Sequence, residues 1–182
     1  WDQVVRHSEG IHALTGAGSG PLASRILSGD DDSARCLLGR WRDVFGDRLA
    51  VEVQLHHTGG AEAALAGALV SLSERERVPW VVTHDPRYVD ESGRLVHDML
   101  TALRAELTID EAASRGVLHP NGDWRLLAPC EMERRWRGRT EGLCESVRIA
   151  AECEPCDFAW MRPPMPKYAV PDNHTDITFM RE

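Results

Sequence analysis

Two short apolar segments, each preceded by a helical pattern, most constrain the fold of this chain. Residues 49–55, LAVEVQL, alternate apolar and polar side chains, which predicts a strand with one buried face. Residues 78–85, VPWVVTHD, are apolar and β-rich until their last positions, as is typical of a buried parallel strand. Strands that alternate with helices predict a parallel sheet with right-handed crossovers, either open or closed into a barrel. The sequence therefore predicts an α/β fold.

The remaining elements complete this alternation. Residues 11–15 predict a first strand that Gly16 closes, and apolar spacing predicts helices over residues 21–28, 34–45 and 61–77. The predicted order is strand, helix, helix, strand, helix, strand, and three strands are too few to close a barrel. After residue 90 the pattern becomes mainly helical. Further helices are predicted around Val96, Thr108, Pro129 and Leu143.

Composition limits the classes of protein to consider. The chain has 182 residues and a net charge of −8, whereas a surface that grips duplex DNA is expected to be basic. No apolar run approaches the ~20 residues of a membrane span, and the N-terminus lacks the pattern of a signal peptide. We therefore expect a cytoplasmic protein. Because the chain starts on Trp1, we also expect a piece of a longer polypeptide.

The five cysteines give only a weak metal signal. Cys153 and Cys156 form one C-x-x-C pair, and a structural zinc site needs two further ligands. Cys144 is the nearest additional cysteine, but it falls on the same predicted helix. We therefore favour small, buried, apolar cysteines over a zinc site or a redox pair.

Chemistry in parallel α/β folds gathers where the strands end. Here the predicted strands end at residues 16–18, 55–57 and 83–85. Asp85 is a carboxylate placed directly at such an end, where it could act as a metal ligand or a general base. It also precedes Pro86, so it could equally cap the following loop. Both interpretations of Asp85 stay open on the residues alone.

The glycines and histidines near these ends carry weaker signals. The GAGSG of residues 16–20 lacks the Lys-Ser/Thr of a P-loop, which favours a turn. Neighbours on a strand point to opposite faces, so His56 and His57 are predicted on the surface and not on one metal ion. His84 is predicted to be packed or solvent-facing. The polar residues for which the sequence identifies no partner are His97, Asp98, His119 and His174.

The order of several motifs resembles one protein family. The motifs occur along the chain in this order: EGIHALTGAGSGPLASRILSGD, FGDRLAVEVQLH, RERVPWVVTHDPRYVD, HDMLTALRAELTIDE, APCEMERRW, LCESVRIAAECE and MPKYAVPD. Together they resemble the PHP domain of bacterial C-family DNA polymerases, the DNA polymerase III alpha subunits, and most of all that of the error-prone alpha subunit used in damage-induced synthesis. The resemblance covers nearly the whole chain.

This resemblance implies a domain organisation. Residues 1–90 would form the C-terminal part of a PHP-type distorted barrel of parallel strands, and residues 91–154 its helical extension. Residues 155–182 would form a Pro-rich connector to the polymerase palm. The family's early His-rich metal motifs would precede Trp1, and its palm aspartates would follow Glu182.

The resemblance also implies a metal site that has lost ligands. Metal-binding members hold up to three ions through His, Asp, Glu and Cys at the strand ends. The family's Cys after the LTG turn corresponds to Ala17, its strand-end Asp to Asp85, and its final His to Arg87. Ala17 has no donor atom, and the fixed charge of Arg87 repels a metal ion. We hypothesise that Arg87 pairs with Asp85, and that this chain is a metal-free scaffold without catalytic residues.

Two alternatives remain at this stage. Upstream ligands could preserve zinc- or manganese-dependent phosphoesterase, pyrophosphatase or 3′–5′ exonuclease chemistry, or the chain could be a small α/β domain with an unrelated ligand. The resemblance implies partners through the parent polymerase: the palm with its Mg²⁺, DNA and dNTPs, the sliding clamp and accessory mutagenesis proteins.

Overall fold

The central element of the fold is a small parallel sheet. The structure, a computed structural model, describes residues 1–153, 170–173 and 175–180, and within them the sheet has three strands in the order β1-β2-β3. The strands are β1 (Ala13–Leu14), β2 (Leu49–Val53) and β3 (Trp80–Val82). Ala13 is in register with Leu49, and Val51 with Trp80. The predicted parallel pairing is confirmed, and a closed barrel is not seen in the described residues.

Helices connect and follow these strands. They are α1 (Asp2–Arg6), α2 (Pro21–Leu27), α3 (Asp31–Phe45), α4 (Gly60–Glu76), α5 (Ser92–Arg104), α6 (Ile109–Ser114), α7 (Pro129–Arg135), α8 (Glu141–Glu152) and α9 (Asp176–Phe179). Two 3₁₀ turns, Ala17–Ser19 and Gly46–Arg48, precede α2 and β2. The described chain forms two compact units, Trp1–Glu152 and Cys153–Glu182.

Local sequence determines where these helices begin. The backbone N–H of Ser33 donates to the side chain of Asp30 over 3.1 Å, which caps α3. Thr108 and Glu111 form a reciprocal capping box at the start of α6. Pro21 occupies the first turn of α2, where its missing N–H leaves no hydrogen bond unmade. These starts agree with the sequence predictions to within a few residues.

The core lies between the sheet and helices α2, α3 and α4. Its largest fully buried side chains include Leu22, Leu38, Leu49, Val51 and Leu69. The prediction that only one face of β2 is buried is wrong, because Ala50 on the other face is buried as well.

The buried face of α4 also differs from the prediction. The apolar spacing within residues 61–77 predicts a buried stripe of Ala61, Ala64, Leu65, Ala68, Leu69 and Leu72, but Ala61 and Ala64 are exposed. The buried residues of this helix are Ala66, Leu69, Val70, Leu72 and Ser73. Ser73 donates through its hydroxyl to the carbonyl oxygen of Val78 over 2.8 Å, which joins the end of α4 to the start of β3. The packed face of α4 is therefore the side that carries Ala66, Leu69 and Val70, and Ala61 and Ala64 lie outside it.

The cysteines of the described residues are not buried, contrary to the prediction. Those in the described residues, Cys36, Cys130, Cys144 and Cys153, are free thiols on the surface. Cys36 lies two residues from both Ala34 and Leu38, which are buried on the opposite side of α3. Cys156, His174 and most of the predicted connector lie outside the described residues.

The second half of the first unit packs against the end of the sheet. Helix α8 covers β3, and Gly142 in its first turn lies against the ring of Trp80. The buried ring of Trp136 is 5.8 Å from that of Trp80. Tyr88 and Arg125 form an isolated parallel β-bridge between the segments that follow β3 and precede α7. None of the helices in the described part of the chain has the length and apolar character of a membrane span.

Candidate functional site

Two of the predicted strand ends, residues 16–18 and 83–85, meet at one cavity, whereas residues 55–57 do not line it. An open cavity of about 420 Å³ lies at the carboxyl ends of the three strands. Its lining residues are Gly16, Ala17, Ser19, Glu52, Gln54, Thr83 and Asp85. Ala17 and Asp85, which the resemblance assigns to two ligand positions, therefore border one cavity. We call it the strand-end cavity.

Asp85 forms the predicted ion pair with Arg87. The Nη2 atom of Arg87 donates to Oδ2 of Asp85 over 2.7 Å, and both side chains are about half exposed. Asp85 has a φ of +51°, in the left-handed region that Asp tolerates better than most residues. Arg87 is not among the residues that line the cavity, so its guanidinium neutralises the carboxylate without filling the space. The sequence predicted the pair but not this placement.

Glu52 is the polar residue of this cavity that sequence reasoning missed. Its carboxylate accepts hydrogen bonds from the backbone N–H of Gly16 (3.1 Å), the hydroxyl of Thr83 (2.5 Å) and the amide of Gln54 (3.2 Å). The backbone N–H of Glu52 donates to the hydroxyl of Thr15. These bonds join the ends of all three strands. The alternation of β2 places Glu52 on the polar face of the strand, and this pattern alone does not reveal its partners.

The donors around the strand-end cavity do not form a set that suits zinc. Ala17 contributes no ligand, Asp85 is paired with a guanidinium, and the Glu52 oxygens accept three protein hydrogen bonds. Among the residues that the structure describes, no group of three or more His, Cys, Asp and Glu side chains is arranged to hold a metal ion. Zinc prefers the nitrogen of His and the sulfur of Cys, and no His or Cys side chain in the described part of the chain lines this cavity.

A row of stacked rings lies beside the cavity, across the ends of β2 and β3. His56 stacks on Trp124 at a centroid distance of 4.2 Å, and Trp124 stacks on His119 at 3.8 Å. His84 extends the row beyond His56 at 5.0 Å, and His97 extends it beyond His119 at 5.4 Å. We call these five residues the ring stack.

The ring stack corrects two predictions about the histidines. His56 is buried, and one of its ring nitrogens contacts the carbonyl oxygen of His84 over 2.7 Å, so its predicted surface position is wrong. His57 is exposed, as predicted. His97 and His119 have partners that their sequence neighbours did not reveal. Burial lowers the pKa of both His84 and His119, and electrostatic repulsion within the row of histidines lowers it further, which favours neutral rings at these two positions.

A polar network holds the segment around Trp124 against the sheet. Asn121 donates to the carbonyl oxygen of His56 over 2.7 Å. Arg135 donates to Asp123 over 2.8 Å and to the carbonyl oxygen of Leu55 over 2.6 Å. Partial burial alone would raise the pKa of Asp123, but the hydrogen bonds from Arg135 and His57 outweigh it and hold the pKa below its usual value. The segment is thus fixed by ring stacking and by charge-assisted hydrogen bonds.

A larger cavity of about 580 Å³ lies beside this network. Its lining residues are His57, Glu91, Arg94, Asn121, Gly122, Asp123 and Arg125. Most of its charged groups are already paired: Asp123 with Arg135, Arg94 with Asp98, and Arg125 with Glu131. The hydrogen bonds from Arg125 lower the pKa of Glu131 to about 2. The Arg94–Asp98 pair lies within α5, whereas the other two pairs join α7 to the segment around Trp124. No ligand is needed to balance these charges.

No protein-family model matches the chain. The chain is similar over most of its length to segments of bacterial DNA polymerases. It is 35% identical over 144 residues to the error-prone DNA polymerase of Pseudomonas fluorescens, and 30% identical over 178 residues to that of Nocardia farcinica.

The second kind of relative is a DNA polymerase III alpha subunit. That of Mycobacterium tuberculosis is 26% identical over 181 residues. The alignment with the Pseudomonas fluorescens protein covers 79% of this chain and 14% of that relative. The alignments with the Nocardia farcinica and Mycobacterium tuberculosis proteins cover 94% and 98% of this chain, and 15% of each relative. The chain therefore corresponds to a fragment of such a subunit and spans about one seventh of the length of these relatives.

Proposed function

We propose that the chain is the C-terminal part of the PHP domain of an error-prone DNA polymerase III alpha subunit. The fragment relationship supports this, and the higher identity to the two error-prone relatives favours that branch. The parallel sheet, with its strand ends gathered at one cavity, is compatible with part of a PHP barrel. Helices α5 to α8 would then be the helical extension, and the connector to the palm would follow.

We further propose that this end of the barrel is a metal-free scaffold for the polymerase core. The observation that carries this proposal is the Asp85–Arg87 ion pair at the edge of the strand-end cavity. A carboxylate bound to a guanidinium is a poor metal ligand, because the ion would have to displace a permanent positive charge. Glu52 supports the scaffold role, since its hydrogen bonds tie the strands together.

In this proposal, nucleotide transfer belongs to the parent polypeptide. The parent would extend a primer with dNTPs, using Mg²⁺ held by palm aspartates outside these residues. The present chain has a net charge of −8, which makes it an unsuitable surface for duplex DNA. The cytoplasm would be its location, with the sliding clamp and accessory mutagenesis proteins as further partners of the parent.

Hydrolysis assays distinguish the scaffold from a working phosphoesterase. We expect the intact polymerase and its Asp85→Ala variant to show the same residual release of 3′ nucleotides and the same pyrophosphate hydrolysis with manganese or zinc. Asp47→Ala, at an aspartate in the exposed 3₁₀ turn before β2, is the matched control. A metal-dependent hydrolysis that Asp85→Ala abolishes and Asp47→Ala preserves would favour the enzymatic alternative.

A further inference from the structure

Helix α5 places its apolar side chains on the outside of the unit. Its sequence, SGRLVHDMLTALR, has a strong apolar stripe on one side of the helix. The stripe consists of Leu95, Val96, Met99, Leu100 and Leu103. A helix that docks on its own domain is expected to turn such a stripe inward. In the part of the chain that the structure describes, these five residues are between 52% and 72% exposed.

The side of α5 that faces the unit is instead mainly polar. The His97 ring lies 5.4 Å from that of His119 and 5.7 Å from that of Tyr88. The side chain of Asp98 is 15% exposed and is 3.5 Å from Nε of Arg94. Ala102 is the buried apolar residue of the helix. The ring contacts of His97 and the burial of Asp98 and Ala102 thus place this side of α5 against the unit and leave its apolar side without a partner among the described residues.

The exposed stripe continues into a shallow apolar concavity. The turn between α5 and α6 brings Leu107 and Ile109 next to the end of the stripe, and Ile109 is also exposed. The concavity measures about 370 Å³ and is lined by Met99, Leu100, Ala102, Leu103, Leu107, Thr108 and Ile109. A continuous apolar surface of this kind marks an interaction site, whereas scattered exposed leucines do not. We call it the α5 face.

We infer that the α5 face is a permanent intramolecular interface, covered by an apolar surface of the same polypeptide outside these 182 residues. This inference rests on the proposed function, which makes the chain part of a polymerase subunit. The aligned segments amount to 14% or 15% of the relatives, so most of such a polypeptide is available to cover it. The stripe carries no charged side chain, and uncharged apolar contact surfaces are characteristic of permanent interfaces.

Hydroxyl-radical footprinting of the intact polymerase tests the inference without any substitution. Leu100 is 60% exposed in the described unit, and Leu27 at the end of α2 is a matched reference at 63%. We expect Leu100 and Leu103 to be oxidised several-fold more slowly than Leu27, at a rate ratio that does not change on dilution. Equal oxidation of Leu100 and Leu27 would overturn the inference. Protection that disappears on dilution would also overturn it, because a second copy would then be the occupant.

A paired substitution gives a second readout. In the intact protein, Leu100→Glu is expected to raise the oxidation of Leu103 towards that of Leu27, while Leu27→Glu leaves the oxidation of Leu103 unchanged. No change at Leu103 in Leu100→Glu would contradict an interface through this face. The footprint does not depend on metal. Bound zinc at the strand-end cavity would contradict the scaffold proposal and leave the protection of α5 intact. Equal oxidation of Leu100 and Leu27 would overturn the α5 interface and leave the scaffold proposal intact.

Discussion

Replacing Trp124 with Ala is expected to lower the free energy of local unfolding at the carboxyl ends of the strands by about 3–5 kcal/mol. This is the usual cost of truncating a buried aromatic side chain. Trp124 is 8% exposed, and its ring is held between His56 and His119. Its removal leaves a cavity and exposes His56 and His119 to water. Hydrogen exchange of the β2 amides in the intact protein measures this change.

Two further variants show whether the stack causes the effect. Trp124→Phe keeps an aromatic ring between the two imidazoles and should restore much of the lost protection. Trp1→Ala removes a tryptophan that is 48% exposed and contacts Arg40 through a cation–π interaction, so it should cost no more than about 1 kcal/mol. Similar effects of Trp124→Ala and Trp1→Ala would contradict a structural role for the ring stack.

The second large effect is expected from Gly142→Ala, at about 3 kcal/mol, the upper end of the usual cost of overpacking. A Cβ atom at Gly142 would overlap Cζ3 of Trp80 and lie 2.5 Å from its Cε3. Trp80 is buried in β3 and has Trp136 behind it, so its ring cannot move aside easily. Exchange of the β3 and α8 amides should therefore become faster.

Gly39 provides a control of the same chemistry with the opposite sign. It lies in the interior of α3, and a Cβ atom there meets nothing within 4 Å. Gly39→Ala should therefore stabilise the protein by about 0.5–1 kcal/mol, since Gly is a poor helix former. A neutral Gly142→Ala would contradict the packing of α8 on β3, and a destabilising Gly39→Ala would contradict the open space beside α3.

Much of the fold follows from local sequence, because helix starts and parallel strands have local causes. The carboxylate of Asp30 and the Thr108–Glu111 capping box satisfy helix N–H groups from within the same few residues. The apolar run of β3 indicated burial without any knowledge of its partners. The ends of parallel strands meet at one edge, so the convergence of Ala17 and Asp85 was predictable from topology.

The rest depends on contacts between residues distant in sequence. His56 is buried because Trp124, 68 positions later, covers it, and no pattern around His56 indicates this. The role of Glu52 depends on donors from the ends of β1 and β3. The apolar stripe correctly predicts helix α5, but the ring contacts of His97 with Tyr88 and His119 place the opposite side of the helix against the unit. Periodicity therefore identifies an apolar side without identifying what covers it.

The most direct test of the scaffold account is the metal content of the intact polymerase, measured by mass spectrometry after dialysis, in the wild type and in Asp85→Ala. The difference between the two proteins isolates the strand-end cavity from the magnesium of the palm. We predict equal amounts of zinc and manganese in both, because Arg87 already neutralises Asp85. One or more equivalents of either metal in the wild type, lost in Asp85→Ala, would contradict the account.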